Sequence, residues 1–253
     1  MRHLDLFSGI GGFALAAEMV GGIDTVAFCE IDPWAKKILA QNFPNIPIHN
    51  DITKIDGTKF KNIDILTGGY PCQPFSTAGN RKAENDPRHL WPAMLRVIRD
   101  VRPTWIICEN VPGHIKLGLD QVLSDMDSEG YSFWPFVIPA NATGLPHNRR
   151  RVYIVAHAPS NGFHEGATSA CHGETHERTT ERTDENRDNE GCRRVWAPLD
   201  WRGYSSRRRG IESTEIRVDD GLPYRMDRNK GLGNAIIPEI AAEILQVIKQ
   251  YEL

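Results

Sequence analysis

The sequence predicts an α/β fold in which short apolar strands alternate with helices. Residues 2–7 form a short strand that passes through a glycine-rich turn into a segment of helix-forming composition. This arrangement begins many nucleotide-binding α/β folds. Further strand-length apolar runs recur at residues 25–30, 63–66 and 105–108. Because ligands bind at the carboxyl ends of strands in such sheets, the residues that follow each strand are the candidate functional residues.

The bulk composition indicates an ordinary soluble protein: 253 residues, 40% hydrophobic and 25% charged. This length suits one large α/β domain, or one domain with a small insert. No apolar run approaches the roughly 18 residues of a membrane span, and no signal peptide precedes Asp5, so we expect a cytoplasmic protein with no membrane partner. Five cysteines, an odd number without regular spacing, are consistent with reduced thiols. A net charge of −3 neither indicates nor excludes nucleic-acid binding, which needs only a local basic patch.

The first half of the predicted sheet carries a nucleotide-binding pattern. The glycine turn matches the dinucleotide fingerprint at Gly9, Gly11 and Ala14, which taken alone also permits an NAD-dependent oxidoreductase. About twenty residues further on, the second strand ends in Glu30, where such folds bind a ribose hydroxyl; a solvated surface acid is the alternative. Asp32 then caps a helix that runs to about residue 42.

A third short strand, around residues 46–49, leads to another acid, Asp51. The fourth strand, residues 63–66, leads into the turn Gly69-Tyr-Pro-Cys-Gln-Pro-Phe-Ser76. Proline restricts φ and glycine frees it, so this turn presents Cys72 rigidly at the end of a strand. A thiol in that position is a candidate nucleophile, whereas the alternative is an inert apolar cysteine.

The later elements add an acid and a cluster of cations. The predicted elements are a mobile polar loop at 76–86, a helix at 87–101, a strand at 105–108, a helix at 119–127, a strand at 131–138 and a strand at 149–156. Glu109 directly follows the strand at 105–108, and Arg149 and Arg151 stand at the mouth of the last strand. A glycine turn, a thiol, an acid and an arginine cluster are therefore predicted to converge on one edge of the sheet.

The composition changes after residue 159. Residues 164–194 are polar and predict a surface insertion that is flexible in part. Cys171, His172, His176 and Cys192 match no compact zinc-finger spacing, so no metal site is predicted. Aromatic residues interleaved with arginines over residues 196–209 suit phosphate and base contacts, although a small satellite core is equally consistent with them. A final helix, ending near residue 251, has an apolar face that can dock on the sheet.

Together these residues resemble a known family, the DNA cytosine-5 methyltransferases. Five segments match its motifs in the family's order: Asp5-Leu-Phe-Ser-Gly-Ile-Gly-Gly-Phe13, Gly69-Tyr-Pro-Cys-Gln-Pro-Phe-Ser76, Glu109-Asn-Val111, His147-Asn-Arg-Arg-Arg151 and Gly233-Asn-Ala-Ile236. The resemblance covers residues 1–157 and 229–253. It implies a Rossmann-like S-adenosylmethionine-dependent methyltransferase sheet, with residues 1–158 and 229–253 forming the catalytic domain and residues 159–228 a small target-recognition region.

The resemblance also implies a mechanism. A Cys72 thiolate would add to carbon 6 of a flipped-out cytosine, and the activated carbon 5 would accept the methyl group. Glu109 would contact ring nitrogen 3 and the exocyclic amine. Arg151 would hold the carbonyl oxygen, with Arg149 nearby, and both cations would help lower the thiol pKa. The sequence does not identify the base that removes the carbon 5 proton.

For the cofactor, S-adenosylmethionine, the resemblance implies a longer set of residues. These are Phe7, Ser8, Gly9, Gly11, Gly12, Glu30, Ile31, Asp51, Ile52, Pro71, Asn234 and Ala235. Phe7 would contact the adenine, Glu30 the ribose and Asp51 the adenine amine. Ile31 stands where many members have an aromatic residue, so weaker adenine stacking is expected there.

Two departures from the family pattern have consequences. His147 replaces the usual Gln, and we expect activity to survive this change. Residues 217–225 stand in place of the motif that normally organises target recognition, and the recognition region is short, which suggests a short or degenerate target or help from a partner.

The expected partner is double-stranded DNA, with a cognate restriction enzyme as a further candidate; a monomeric bacterial protein, of host or phage origin, is expected. The alternatives are a tRNA cytosine-5 methyltransferase of the same family and a non-catalytic DNA-binding relative.

Overall fold

Residues 1–71, 90–145, 148–158 and 235–252 are described by the computed structural model, and within them the chain forms one seven-stranded sheet. The strands are β1 (Arg2–Leu6), β2 (Asp24–Cys29), β3 (Ile48–His49), β4 (Ile65–Gly68), β5 (Trp105–Asn110), β6 (Ser132–Pro139) and β7 (Arg150–His157). The helices are α1 (Gly12–Val20), α2 (Pro33–Asn42), α3 (Trp91–Val101), α4 (His114–Leu117), α5 (Leu119–Ser128) and α6 (Pro238–Tyr251). Short 3-10 turns lie at Ile52–Lys54, Gly57–Lys59 and Ala140–Thr143. The predicted α/β class is confirmed.

The strand order is β3-β2-β1-β4-β5-β7-β6. Strands β1 to β5 run parallel, whereas β7 runs antiparallel to both β5 and β6. The register pairs Asn110, the last residue of β5, with Val152 near the start of β7. Because β7 enters the sheet where β5 leaves it, the arginines at its start lie at the same edge as the carboxyl ends of the parallel strands.

Local sequence accounts for the elements around this edge. All positions of the central strands β4 and β5 are buried, as expected for parallel strands covered on both faces. Helix α2 begins where the sequence predicts, because the Asp32 carboxylate accepts hydrogen bonds from the backbone N–H groups of Trp34 and Ala35 and Pro33 occupies the first position.

Two large hydrophobic cores cover the two faces of the sheet, in addition to a smaller third cluster within the described residues. Helices α3 and α5 contribute to one core, in which Met94, Ile98 and Val122 are buried. Helices α1 and α6 contribute to the other, in which Phe13 and Leu245 are buried. The predicted apolar face of the last helix is confirmed at Ile240, Leu245 and Ile248, which are buried, and at Ile244, which is partly buried.

Several predicted boundaries differ from the structure. Strand β5 continues through Glu109 and Asn110, beyond the predicted end at residue 108, because β7 pairs with both residues. The short helix α4 was not predicted. Helix α3 starts at Trp91, and Leu90 precedes it as a half-buried cap. Residues 87–89 and the predicted loop at 76–86 lie outside the described residues. None of the helices in the described ranges is both long and apolar enough to cross a membrane.

Candidate active site

A cleft of about 970 Å³ opens where the parallel strands end. Its lining comes from the loops that follow β1, β2, β3, β4 and β5, together with the start of β7. The lining residues are Phe7, Cys29, Glu30, Ile31, Asp32, Pro33, Trp34, Ala35, Asn50, Asp51, Ile52, Thr53, Gly69, Tyr70, Pro71, Leu90, Glu109, Asn110, Val111 and Arg151. One cleft thus brings together residues predicted for the cofactor and residues predicted for catalysis.

The glycine turn after β1 forms one wall of the cleft. Phe7, with φ of 54°, lines it, and Gly9 and Gly11 have φ of 55° and 91°. Gly11 also needs its small size, because a Cβ there would lie 2.6 Å from a ring carbon of Phe43. Ser8 is buried beneath the turn, where its hydroxyl donates to the carbonyl of Asp5 at 2.7 Å. Ser8 and the predicted glycines therefore shape the turn, whereas Phe7 is the residue of this turn that lines the cleft.

Glu30 is held in place by backbone N–H groups. Its Oε2 accepts from the N–H of Gly9 at 2.6 Å, and its Oε1 accepts from the N–H of Asp32 at 2.7 Å. The side chain joins the glycine turn after β1 to the start of α2 and still lines the cleft. Each carboxylate oxygen accepts more than one hydrogen bond, so a ribose diol can share this carboxylate.

Asp51 and its neighbours line the cleft after β3. The Asp51 carboxylate caps the 3-10 turn Ile52–Lys54 by accepting from the hydroxyl of Thr53 at 2.7 Å and from its backbone N–H at 2.9 Å. These hydrogen bonds lower the pKa of Asp51 below its ordinary value, so it is ionised at neutral pH. Ile31, 71% exposed, stands at the rim. Trp34 also lines the cleft; the sequence analysis missed it, although an aromatic residue just after a strand-end acid was the available signal.

Glu109 and Arg151 form an ion pair inside the cleft, with Glu109 Oε1 2.8 Å from Arg151 Nε. Burial raises the pKa of Glu109 from 4.5 to about 7, against the opposing effect of the positive charges of Arg151 and Arg149. Glu109 can therefore hold a proton near neutral pH. Gly69 leaves room for this acid, because a Cβ at that position would lie 3.3 Å from Glu109 Oε2.

Arg149 contacts a different partner from Arg151. Its Nη2 donates to the carbonyl oxygen of Ala235 at 2.7 Å, and Arg149 is not part of the cleft lining. Ala235 itself is half-buried. The remaining predicted residues, Cys72, His147 and Asn234, lie outside the described residues, as do residues 159–228 with the four residues weighed as zinc ligands. Pro71, the neighbour of Cys72, lines the cleft.

A buried clamp, missed from the sequence, joins the loops that follow β4 and β5. The hydroxyl of Tyr70 and Nε2 of His114 are hydrogen-bonded at 2.7 Å, and Asn110 Nδ2 donates to the Tyr70 carbonyl at 3.1 Å. Trp91 packs on the Tyr70 ring with centroids 5.1 Å apart. The clamp fixes the backbone immediately before Pro71 relative to the strand that carries Glu109.

A second missed network lies in the sheet below the glycine turn. His3 contacts the hydroxyls of Thr25 and Thr67 at 2.9 and 2.8 Å, and Thr67 donates to Asp5 Oδ1 at 2.7 Å. All four side chains link β1 to its two neighbours. Burial lowers the pKa of His3 to about 3 and raises that of Asp5 to about 7, so both tend towards the neutral form.

Comparison with known proteins agrees with this geometry. The model of the family described as C-5 cytosine-specific DNA methylase matches residues 1–200. The type II methyltransferase M.HgiCII of Herpetosiphon aurantiacus is 41% identical over 162 residues, which cover 61% of this chain and 36% of that protein. The type II methyltransferase M.MspI of Moraxella sp is 36% identical over 166 residues, or 63% of this chain and 39% of that protein. A crystal structure of a DNMT2 mutant of Spodoptera frugiperda superposes with a TM-score of 0.55 at 26% identity, covering 62% of this chain and 50% of that one.

The sheet and its cleft define a Rossmann-like methyltransferase fold of the S-adenosylmethionine-dependent class. The chain belongs to the C-5 cytosine-specific DNA methylase family, because the family model matches most of its length. The matched part spans 36 to 39% of the length of the two curated relatives named above. The family resemblance predicted from the sequence is confirmed.

Proposed function

We propose that the chain is a DNA cytosine-5 methyltransferase that transfers a methyl group from S-adenosylmethionine to carbon 5 of a flipped-out cytosine. The observation that carries this proposal is the convergence of the following groups on one cleft at the carboxyl edge. It holds the Glu109–Arg151 ion pair, the two acids Glu30 and Asp51, and Pro71, the residue before Cys72.

The residues of the cleft fit S-adenosylmethionine. Phe7 and Ile52 offer apolar contact for an adenine, Glu30 offers a carboxylate oriented for a ribose diol, and Asp51 stays ionised beside them. The turn residues Ser8, Gly9, Gly11 and Gly12, together with Ile31, Pro71, Asn234 and Ala235, complete the proposed set. When bound, this cofactor supplies an electrophilic methyl group, which carbon 5 accepts as S-adenosylhomocysteine leaves.

Cys72 supplies the nucleophile. Carbon 5 of cytosine is unreactive until a nucleophile adds to carbon 6, so a Cys72 thiolate forms a sulfur–carbon 6 bond. The electron pair of the 5,6 double bond then moves to the 4,5 bond, and that of the bond between carbon 4 and nitrogen 3 moves onto nitrogen 3. Protonated Glu109 donates to ring nitrogen 3 and accepts from the exocyclic amine, while Arg151 holds the carbonyl oxygen. The raised pKa of Glu109, about 7, makes its protonated form available near neutral pH.

Loss of the carbon 5 proton to a base, such as water, then restores the 5,6 double bond and expels the Cys72 thiolate, while ring nitrogen 3 returns its proton to Glu109. None of these atoms is reachable in a stacked duplex, so the target cytosine must leave the helix. We propose that residues 159–228 form the target-recognition region and that residues 1–158 and 229–253 form the catalytic domain. Double-stranded DNA is the proposed substrate, and a bacterial cytoplasm, a monomeric state and a cognate restriction enzyme are proposed with it.

Methyl transfer from labelled cofactor tests the proposal. The protein is incubated with S-adenosylmethionine carrying a labelled methyl group and either duplex DNA or tRNA, beside a Cys72→Ala variant. We expect label in DNA that the variant does not incorporate. Label in tRNA alone would assign the substrate to RNA, and no label in either would contradict the proposed activity. Bisulfite sequencing of DNA from an expressing host would identify the target sequence.

A further inference from the structure

Arg149 connects two segments that are distant in the chain. Its Nη2 donates to the carbonyl of Ala235 at 2.7 Å across 86 residues of sequence. Arg149 immediately precedes β7, and Ala235 leads through Ile236 and Ile237 into α6. The hydrogen bond therefore joins the mouth of β7 to the segment that enters the last helix.

The segment held by this bond packs against the glycine turn. A Cβ on Gly12 would lie 2.7 Å from Ile236 Cβ and 3.1 Å from the Ile236 carbonyl oxygen, so the first residue of α1 and Ile236 are in close contact. Ile236 also reaches the turn before Cys72, since its Cδ1 would lie 3.8 Å from a Cβ on Gly69. A shift of this segment would therefore alter its packing against the glycine turn and against Gly69, in the loop that leads to the proposed nucleophile.

Apolar packing alone would not fix the position of the segment along its axis. Ile240 and Leu245 bury α6 against α1, but hydrophobic contacts are not directional. Two other side-chain hydrogen bonds, from Lys249 to the carbonyl of Gly21 and from Trp105 to Glu252, hold the far end of α6. The Arg149 bond holds the opposite end, beside the cleft.

Arg149 and Arg151 thus make different contacts although they are two residues apart. Arg151 pairs with Glu109 in the cleft, whereas Arg149 binds a backbone carbonyl and remains close enough to Glu109 for its charge to act on that acid. A planar guanidinium suits this arrangement, because a donor in a fixed direction holds the carbonyl while the permanent charge of the group acts on Glu109.

We propose that Arg149 is a positioning residue for the segment that packs against the glycine turn of the proposed cofactor site. It holds Ala235 and Ile236 against the glycine turn, and so sets the affinity for the cofactor, while Arg151 acts on the cytosine. This inference deepens the proposed function and rests on it. It assigns the two arginines of one motif to the two substrates of one reaction.

Binding of S-adenosylhomocysteine, measured by isothermal titration calorimetry, separates the two roles. Arg149→Gln and Arg151→Gln are matched variants, because each removes one guanidinium from the same short segment. We expect Arg149→Gln to weaken binding about tenfold, or about 1.4 kcal/mol, and Arg151→Gln to change it less than twofold. In methyl transfer, Arg149→Gln should mainly raise the KM for S-adenosylmethionine, and Arg151→Gln should mainly lower kcat.

Arg149→Lys tests whether the planar donor or the charge is needed. Lysine keeps the charge but not the guanidinium geometry, so we expect its affinity to stay below that of the unchanged protein. Hydrogen exchange on Arg149→Gln should show faster exchange at the N–H of Ala241, which donates to the Ile237 carbonyl, with β1 and β5 unaffected; this pattern separates local release from general unfolding.

The outcomes distinguish this inference from the proposed function. Cofactor affinity within twofold of the unchanged protein in Arg149→Gln, with the loss confined to kcat, would overturn the inference and leave the methyltransferase proposal standing. Unaltered exchange at the N–H of Ala241 in Arg149→Gln would also overturn it. Failure of the unchanged protein to bind S-adenosylhomocysteine would instead contradict the proposed function itself.

Discussion

The two halves of the cleft are built differently. On the side of β1, β2 and β3, carboxylates are held by backbone N–H groups: Glu30 accepts from Gly9 and Asp32, and Asp51 accepts from Thr53. On the side of β5 and β7, Glu109 is paired with a half-buried charge, the guanidinium of Arg151. The first arrangement keeps Asp51 ionised, whereas the second leaves Glu109 with a pKa of about 7.

This difference matches what each half is proposed to do. A carboxylate that binds ribose hydroxyls needs a fixed orientation, which backbone N–H groups provide without a change in charge. An acid that stabilises a reacting ring needs a proton available near neutral pH, which burial provides. Changes on the two sides should therefore affect different measurements.

The largest expected effect comes from the catalytic side. Glu109→Gln should lower the rate of methyl transfer about a hundredfold or more, because an amide cannot exchange a proton with the cytosine ring and the carboxylate that pairs with Arg151 is lost. Single-turnover methyl transfer measures the effect. Asp120→Asn, at an exposed position of α5, is the control and should act as the unchanged protein does. A Glu109→Gln rate within threefold of normal would remove Glu109 from the mechanism.

The second effect is on stability as a function of pH. The pKa of Glu109 is raised, so the folded state binds its proton more tightly than the unfolded state, and the stabilisation is complete below about pH 4.5 and is lost as pH rises through about 7. Relative to Glu109→Gln, the unchanged protein should therefore lose up to about 3 kcal/mol of unfolding free energy between pH 5 and pH 8. Urea unfolding at several pH values measures this difference.

Asp51→Asn is the control for that comparison, because a lowered pKa changes stability in the opposite direction with pH from a raised one. The pKa of Asp51 is lowered, so its contribution to the free energy of unfolding is lost only as pH falls below the ordinary pKa of an aspartate. Between pH 5 and pH 8 this contribution should be constant. Parallel stability curves for the unchanged protein and Glu109→Gln over this interval would show that burial does not raise the pKa of Glu109.

The third effect concerns the cofactor side. Glu30→Gln should weaken binding of S-adenosylhomocysteine by about tenfold or more, because one carboxylate oxygen becomes an NH2 group facing an N–H donor of Gly9 or Asp32. Calorimetric titration measures it, with Glu18→Gln on α1 as a control outside the cleft lining. Unchanged affinity with a reduced kcat would assign Glu30 to the catalytic half, and would contradict the division of the cleft into a cofactor-binding half and a catalytic half.

The smallest effect is expected at the clamp between the two loops. Tyr70→Phe removes the hydroxyl bonded to His114 and should lower the unfolding free energy by about 1 kcal/mol. Tyr251→Phe, at a position 52% exposed, should change it by less than about 0.5 kcal/mol. Urea unfolding compares the two variants, and equal stabilities would show that the Tyr70 hydroxyl contributes nothing to the fold.

Sequence reasoning succeeded where the determining contacts are local. The cap of α2 by Asp32 involves residues two and three positions away, and both lie within the same turn. It fell short where pairing partners are distant. The end of β5 moved to Asn110 because β7 pairs with it, and the Tyr70–His114 bond spans 44 residues.

By itself, the sequence determined the α/β class, the family and the order of its motifs, because strand-end residues and turn chemistry are local properties of the chain. Only the tertiary structure decided how the two arginines before and within β7 differ. Arg151 meets Glu109 because β7 runs antiparallel to β5, and Arg149 meets Ala235 because α6 returns to pack on α1. Neither partner can be inferred from the spacing of the arginines, since both contacts depend on segments that folding brings together from far along the chain.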